Sequence, residues 1–410
     1  MNGRPPGGRR VPMPPALHIY DARERALVRL ADIVLAAGTT LARVVPPRPW
    51  APPPRRVLLL RLERIGDLLM TLGAIRLVRR LLPDAEIDLV VGSWNEEVAR
   101  LVDEVSRVES LDVPWLAREG RGASWPALVA RARSWRHRRY DLAINFEGDI
   151  RSHLLMAMSR APVRAGFPMA GGGPVLTLRV DHDPTRHTAD NARRLVECVA
   201  ERCALALPVD APAEAHRLVV PDEARRRADG RLAAVAGARR LFGLHASGGR
   251  EIKQWHPDRF GEAVAVLAAR HDAAVVLTGG PADRALVAAA RARIPDGVPV
   301  VDLAGDVDLV TLAAVLARLD LFVTGDTGPM HLAAAVGTPI VAVFGPSTPL
   351  RYAPLAAHSR VVRIDLPCSP CNQIRLPPVR CRGHVPDCLE GISTEMAIAA
   401  AEDLLAEAGR

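Results

Sequence analysis

Short apolar runs, each followed by a turn and then a helical stretch, recur in two series along this chain, and that alternation leaves few folds open. Val57-Leu58-Leu59-Leu60 reads as a buried strand, followed by Arg61 to Asp67 and a helix to about Leu81. Ile87 to Val91, Val108 to Val113 and Asp141 to Phe146 read as further strands, with a helix around Asn95 to Asp103 and another over Arg186 to Leu205. The pattern then restarts at Leu241 to His245. It continues with strands at 274–278, 300–303, 321–324 and 338–344, and with helices at 258–271, 283–294 and 310–318. Continuous apolar runs joined through helices specify parallel strands covered on both faces. Two such units with a cleft between them bind ligands outside the carboxyl ends of their strands.

Hydrophobic residues make up 49% of the 410, enough for a large core. Net charge is +8, from 54 basic and 46 acidic residues, which favours anionic partners such as a nucleotide, a phosphorylated glycolipid or an anionic membrane surface. No compact basic block with interleaved aromatics is present, so nucleic acid is not expected. No uncharged apolar run reaches the roughly 18 residues of a membrane-spanning helix. Residues 1–15 are rich in Arg, Gly and Pro, lack the apolar core of a secretory signal and read as disordered. Asp21 to Val45 reads as one helix with Leu27, Leu30, Val34, Leu41 and Val45 near one face and several arginines, a pattern that suits either the protein's own surface or a membrane interface. A Pro-rich linker, Pro46 to Pro54, follows.

The turns carry the chemistry. In Thr324-Gly325-Asp326-Thr327-Gly328-Pro329-Met330-His331 a strand ends and a helix begins, with Thr327 in the N-cap position and Pro329 in the first turn. Such a helix start offers free N–H groups and a positive dipole end to a phosphate; the same residues also suit a plain capped turn. Arg64-Ile65-Gly66-Asp67 follows the first strand. Asp67 there is either a general base in the cleft or a helix cap. His245-Ala246-Ser247-Gly248-Gly249 leads into Lys253-Gln254-Trp255, where Lys253 offers a point charge for a diphosphate and Trp255 reads as a packing anchor or part of a solvated loop. Thr278-Gly279-Gly280-Pro281-Ala282-Asp283 is a Gly-rich turn. No G-x-G-x-x-G follows the first strand and no P-loop occurs, which argues against nicotinamide and P-loop chemistry. Arg151, after Asn145 to Asp149, suits contact with an anionic acceptor or a surface cap.

The order Arg61 to Asp67, His245-Ala246-Ser247 with Lys253-Gln254-Trp255, Thr278 to Pro281, and Gly325 to His331 resembles the glycosyltransferase family 9 heptosyltransferases of lipopolysaccharide core synthesis, over roughly residues 55–405. That resemblance implies a GT-B fold: two Rossmann-like βαβ domains facing a central cleft, here with an N-terminal helical extension that compact members lack. Residues 1–54 read from their composition as a tail, helix and linker; the resemblance implies an acceptor domain at 55–207 and a nucleotide-sugar domain at 208–366. A Cys-containing segment and a last helix crossing back fill 367–410. It further implies an inverting, metal-independent transfer from an ADP-sugar to an anionic glycolipid, with no cofactor. Asp67 matches the catalytic base. Ser247, Lys253, Asp326, Thr327, Gly328 and His331 match donor-binding positions, and Asp283 takes the place of a nucleoside-contacting Glu. Arg64 and Arg151 are candidate acceptor contacts. The expected location is cytoplasmic, peripheral at the inner face of the cytoplasmic membrane.

Cys368-Ser369-Pro370-Cys371 with Cys381 and Cys388 suits structural zinc, reduced core thiols or disulfides, and all three readings stay open. Cys198 and Cys203 read as packing residues. Other functions compatible with the sequence are a transferase using another nucleotide sugar, a non-catalytic nucleotide-sugar-binding protein and a GT-B-like epimerase.

Overall fold

The structure, a computed structural model, describes residues 17, 19, 21–42, 53–117, 122–208 and 216–407, the side chains of 39–42 excepted. The expected disordered tail and nearly all of the Pro-rich linker lie outside the described residues. The first half runs α1 (Ala22–Ala42), β1 (Arg56–Arg61), α2 (Ile65–Leu81), β2 (Glu86–Val91), α3 (Glu96–Ala99), β3 (Arg107–Ser110), α4 (Trp125–Ser134), β4 (Leu142–Asn145), α5 (Ile150–Ala157), β5 (Val163–Gly166), β6 (Leu178–Arg179) and α6 (Thr188–Arg202). The second half begins with α7 (Asp222–Arg231), β7 (Arg240–His245), α8 (Pro257–His271), β8 (Ala273–Thr278), α9 (Arg284–Arg291), β9 (Val300–Asp302) and α10 (Leu309–Leu316). It continues with β10 (Leu321–Gly325), α11 (Gly328–Val336), β11 (Ile340–Val343), α12 (Pro349–Tyr352), β12 (Ser359–Val362), α13 (Asp387–Glu390) and α14 (Thr394–Glu407).

Each half is one six-stranded sheet, ordered β3-β2-β1-β4-β5-β6 in the first and β12-β11-β10-β7-β8-β9 in the second, with every described pairing parallel. These are two Rossmann-like units with the same winding, the architecture expected. In both, strand order reverses between the first and fourth strands, β1/β4 and β7/β10. A crevice opens at that point because the connections on its two sides leave to opposite faces of the sheet.

Central strands are buried throughout: Leu58, Leu59, Leu60, Phe322 and Val323 are at most 1% exposed. One continuous apolar cluster takes residues from both sheets, including Leu72 and Ile75 of α2 and Met330 and Leu332 of α11. The halves are therefore joined by core, not by a wet interface. The last helix departs from expectation. α14 packs on α8, β11 and β12, so it closes the second sheet and does not return to the first. Its buried Ala401, Leu404 and Leu405 belong to the second half's own apolar cluster, which explains that choice.

Candidate functional site

Both switch points point into one seam. After β1, Arg64 occupies the N-cap of α2, and its backbone N–H donates to Asp67 Oδ2 at 3.1 Å. Asp67 therefore does cap the helix, and its other oxygen lies 3.6 Å from the Arg61 guanidinium. Arg61 is 3% exposed; it donates to Glu63 Oε2 at 2.7 Å and to the Phe146 carbonyl at 2.9 Å. After β4, Glu147 is buried and accepts from the Leu62 N–H at 2.7 Å. A carboxylate trio, Glu63, Asp67 and Glu147, thus surrounds a single buried guanidinium. Burial, and then the neighbouring Glu63, raises Glu147 to about 8. Glu63 is also raised, by burial and then by Asp67, although 29% of its side chain still faces the cleft and solvent moderates the effect. Trp94 Nε1 and Asn95 Nδ2 both donate to the Glu63 carbonyl, at 2.7 and 2.8 Å, and fix this turn.

In the second half, Lys253 Nζ donates to the Asp326 carbonyl and lies 3.2 Å from its Oδ2. The loop that delivers Lys253 is tied down by Gln254. Its Oε1 accepts from the Gly248 N–H at 2.6 Å, and its Nε2 donates to the Ala246 and Trp255 carbonyls. Only glycine fits at 248, because a Cβ there would lie 2.6 Å from the Lys253 carbonyl. Ser247 Oγ accepts from the Gly249 N–H at 3.2 Å. Trp255 is 1% exposed and packs edge-on against Phe260, so it anchors the loop.

Thr327 occupies the N-cap of α11, but its hydroxyl makes no capping bond. It turns instead to the Gly325 carbonyl at 3.4 Å and to Thr324 Oγ1 at 3.3 Å. The opening N–H groups of α11 are thus without that cap, and with the dipole they suit an anion. His331, one turn in, is 6% exposed; burial lowers it to about 4, against the opposing pull of Asp326 and Asp67, so its ring is neutral at physiological pH.

The two helix starts touch. A Cβ on Gly66 would lie 2.6 Å from His331 Cδ2, and one on Gly328 would lie 2.3 Å from Ile65 Cγ2. The seam therefore brings Asp67, Lys253, Asp326, Thr327, Gly328 and His331 together. Ser247 lies on the same loop as Lys253. Asp283 is less central: it sits beyond the end of β8, where its Oδ2 accepts from the Gly280 N–H at 2.8 Å. Arg64 stacks 4.8 Å over Trp94 and donates to the Leu116 carbonyl. Arg151 pairs with Asp149 at 2.9 and 2.6 Å and stacks 4.8 Å over Trp115. Both arginines flank the first-half side of the seam.

Four features escaped the sequence reading: Arg61, Glu63, Glu147 and Tyr352. Glu63 and Glu147 stand within motifs that were recognised, but a charge just past a strand end looks exposed until the tertiary fold covers it. Tyr352, at the end of α12, feels Asp67, Glu63 and Asp326, and burial raises it to about 12.

The zinc expectation is not met. Among the described residues no group of three or more His, Cys, Asp or Glu side chains is placed to hold a metal ion, and Cys368, Cys371, Cys381 and Cys388 are free thiols. Burial raises Cys388 to about 11, and the nearby Cys371, Cys381 and Cys368 add to that rise while Ser369 opposes it. The segment is held by Asn372 instead, whose N–H donates to the Pro346 carbonyl at 2.8 Å and whose Oδ1 accepts from the Thr348 N–H at 2.9 Å.

A carboxylate facing a helix start across a cleft suits a displacement in which one side activates a nucleophile and the other receives an anionic leaving group. The chain is 21% identical over 315 residues to the lipopolysaccharide core heptosyltransferase OpsX of Haemophilus influenzae, covering 76% of this chain and 85% of that protein. The glycosyl transferase family 9 structure from Veillonella parvula superposes with a TM-score of 0.70 at 24% identity, over 86% of this chain and 97% of that one. The E. coli ADP-heptose lps heptosyltransferase II superposes with a TM-score of 0.68 at 20% identity, over 87% of this chain and 100% of that one. The family model for glycosyltransferase family 9 (heptosyltransferase) matches residues 129–377. With its two facing Rossmann-like sheets and this seam, the chain belongs to glycosyltransferase family 9 and is a glycosyltransferase.

Proposed function

We propose that this enzyme moves a heptose-like sugar from an ADP-sugar to a lipopolysaccharide core or related anionic glycolipid, with inversion and without a metal. The observation that carries the reading is the contact of the two helix starts, with Asp67 at the α2 start near enough to His331 of α11 to act on it electrostatically. The acceptor hydroxyl gives its proton to the Asp67 carboxylate as its oxygen bonds to the anomeric carbon. The bond from that carbon to the diphosphate oxygen breaks on the opposite face, so configuration inverts in one step. ADP departs with its charge stabilised by Lys253 and the α11 start, in place of a cation. Asp326, paired with Lys253, holds sugar hydroxyls; Ser247, Thr327, Gly328 and His331 line the diphosphate, and Asp283 lies toward the nucleoside. Arg64 and Arg151 meet anionic groups of the acceptor. In this reading residues 55–207 form the acceptor domain and 208–366 the donor domain. The acceptor is met at the inner face of the cytoplasmic membrane.

Calorimetric titration with ADP, UDP and GDP tests this, using the wild type and Lys253→Ala/Asp326→Ala. Selective ADP binding that the double variant loses supports the donor site. Preference for UDP or GDP moves the reading to another sugar donor, and no nucleotide binding by folded protein refutes it.

A further inference from the structure

Helix α1 carries two apolar faces, and the fold uses one. On its inner side Val28 packs so closely on Gly171 that a Cβ there would lie 2.3 Å from Val28 Cγ1, and Asp32 Oδ1 accepts from the Gly172 N–H at 2.7 Å. Burial of Asp32 raises its pKa, which that backbone bond opposes. The inner residues Val28, Ala31, Asp32 and Leu35 recur at helical spacing and are half-buried. The opposite side holds Leu27, Leu30, Ile33 and Val34, which are 68%, 59%, 66% and 64% exposed. Ala26 and Ala37 extend the same stripe and are exposed as well. Among the described residues nothing covers it. Four large aliphatic side chains on one face of one helix are a patch, not scattered surface residues.

Charge decides what covers that patch. Residues 1–54 contain eight arginines and three acidic residues, so they hold five of the chain's eight net positive charges. A two-fold pairing of two such segments sets like charges against each other, whereas an anionic bilayer surface attracts them. Arg23, Arg25 and Arg29 lie on α1 itself: Arg23 continues the apolar stripe at its N-terminal end, Arg29 flanks it and Arg25 lies one step farther round. No described helix is long and apolar enough to cross a membrane, so α1 lies in the interface plane. Its position also fits: Glu24 lies near enough to Arg151 to act on it, so α1 borders the first-half side of the seam.

We infer that the exposed stripe of α1, Leu27, Leu30, Ile33 and Val34, seats the enzyme on an anionic lipid surface with the acceptor side of the seam toward the membrane. This deepens the proposed function and rests on its glycolipid acceptor. The helix inserts its aliphatic face among the acyl chains while the arginines meet the headgroups.

Co-sedimentation of the full chain with vesicles tests the assignment. The wild type is expected to bind vesicles of phosphatidylcholine with phosphatidylglycerol, and to bind pure phosphatidylcholine vesicles, or the mixed ones at about 0.5 M salt, at least about tenfold more weakly. Leu30→Glu/Ile33→Glu is expected to weaken binding at least about tenfold. Its unfolding temperature and its transfer to a delipidated, water-soluble acceptor should stay unchanged, because both side chains are exposed. Ile33→Trp is expected to tighten binding, which keeps the test decisive if the glutamates disturb α1. Equal binding by the glutamate variant overturns the inference. So does a wild type that ignores anionic vesicles, or a wild-type dimer that the glutamates dissolve. Vesicle binding through α1 without sugar transfer refutes the function and leaves this inference standing. Transfer in solution without vesicle binding does the reverse.

Discussion

Gly328→Ala probes whether the seam closes in the working enzyme as tightly as it does in the structure. The added Cβ would lie 2.3 Å from Ile65 Cγ2, where carbon atoms in contact rest at about 3.5–4.0 Å. The next nearest atom, Ile65 Cβ, is 3.8 Å away, so a single methyl group is the obstacle. Gly328 opens α11 and is not in a left-handed conformation, so the backbone alone would favour alanine by about 0.5–1 kcal/mol. The overlap outweighs that gain. Overpacking of this kind costs about 1–3 kcal/mol, and Ile65 is branched at Cβ and cannot swing clear cheaply. If the halves must meet for transfer, kcat/KM falls by roughly tenfold for each 1.4 kcal/mol of the loss. Ile65→Ala removes the obstructing methyl. The double variant should therefore be better than the sum of its parts by about 1–3 kcal/mol, in unfolding free energy and in kcat/KM alike. The assay is a four-protein cycle of denaturant unfolding and steady-state sugar transfer. Effects that add within about 0.5 kcal/mol in both measurements would refute the closed seam.

Three other outcomes follow from particular contacts. Gln254→Ala leaves the Gly248 N–H and two carbonyls without their partner, so it should cost about 1–3 kcal/mol of stability and raise the donor KM more than it lowers kcat, read from saturation curves. Glu147 binds its proton more tightly folded than unfolded, so the stability it contributes is full below the ordinary carboxylate range and is lost as pH rises toward 8; Glu147→Gln should flatten that decline in thermal melts between about pH 5 and 8.5, and an unchanged slope refutes the buried pair. Chelation with EDTA should leave the transfer rate unchanged, because Lys253 and the α11 start meet the diphosphate, and a loss restored by a divalent cation refutes that mechanism.

The alternation of apolar runs was a reliable guide wherever strands were long and central. Arg56–Arg61 and Leu321–Gly325 fall where Val57 to Leu60 and residues 321–324 were read, within a residue or two at each end. The edges were harder. Leu178–Arg179 is a two-residue strand, and Ser359–Val362 is half-exposed with an arginine in it, so neither carries an apolar run that sequence could reveal. Val163–Gly166 was missed for the same reason. Of the site, the turns after β1, β7 and β10 were legible because glycine, proline and capping residues punctuate them. The Arg61 cluster was not, since it is made by strands eighty residues apart. Thr327 shows the opposite limit: its residue type marks the N-cap, but only the fold shows that its hydroxyl turns away.

Asp67→Asn tests the central claim most directly. Asparagine keeps an oxygen to accept from the Arg64 N–H, so the helix cap survives while the base is removed. Transfer from ADP-heptose and ADP affinity should be measured on the same preparation. The account expects kcat to fall by at least about a hundredfold, the usual range for a lost general base, with ADP affinity within a few fold of wild type. Retained turnover, or a parallel loss of ADP binding, would contradict Asp67 as the base that faces the donor across the seam.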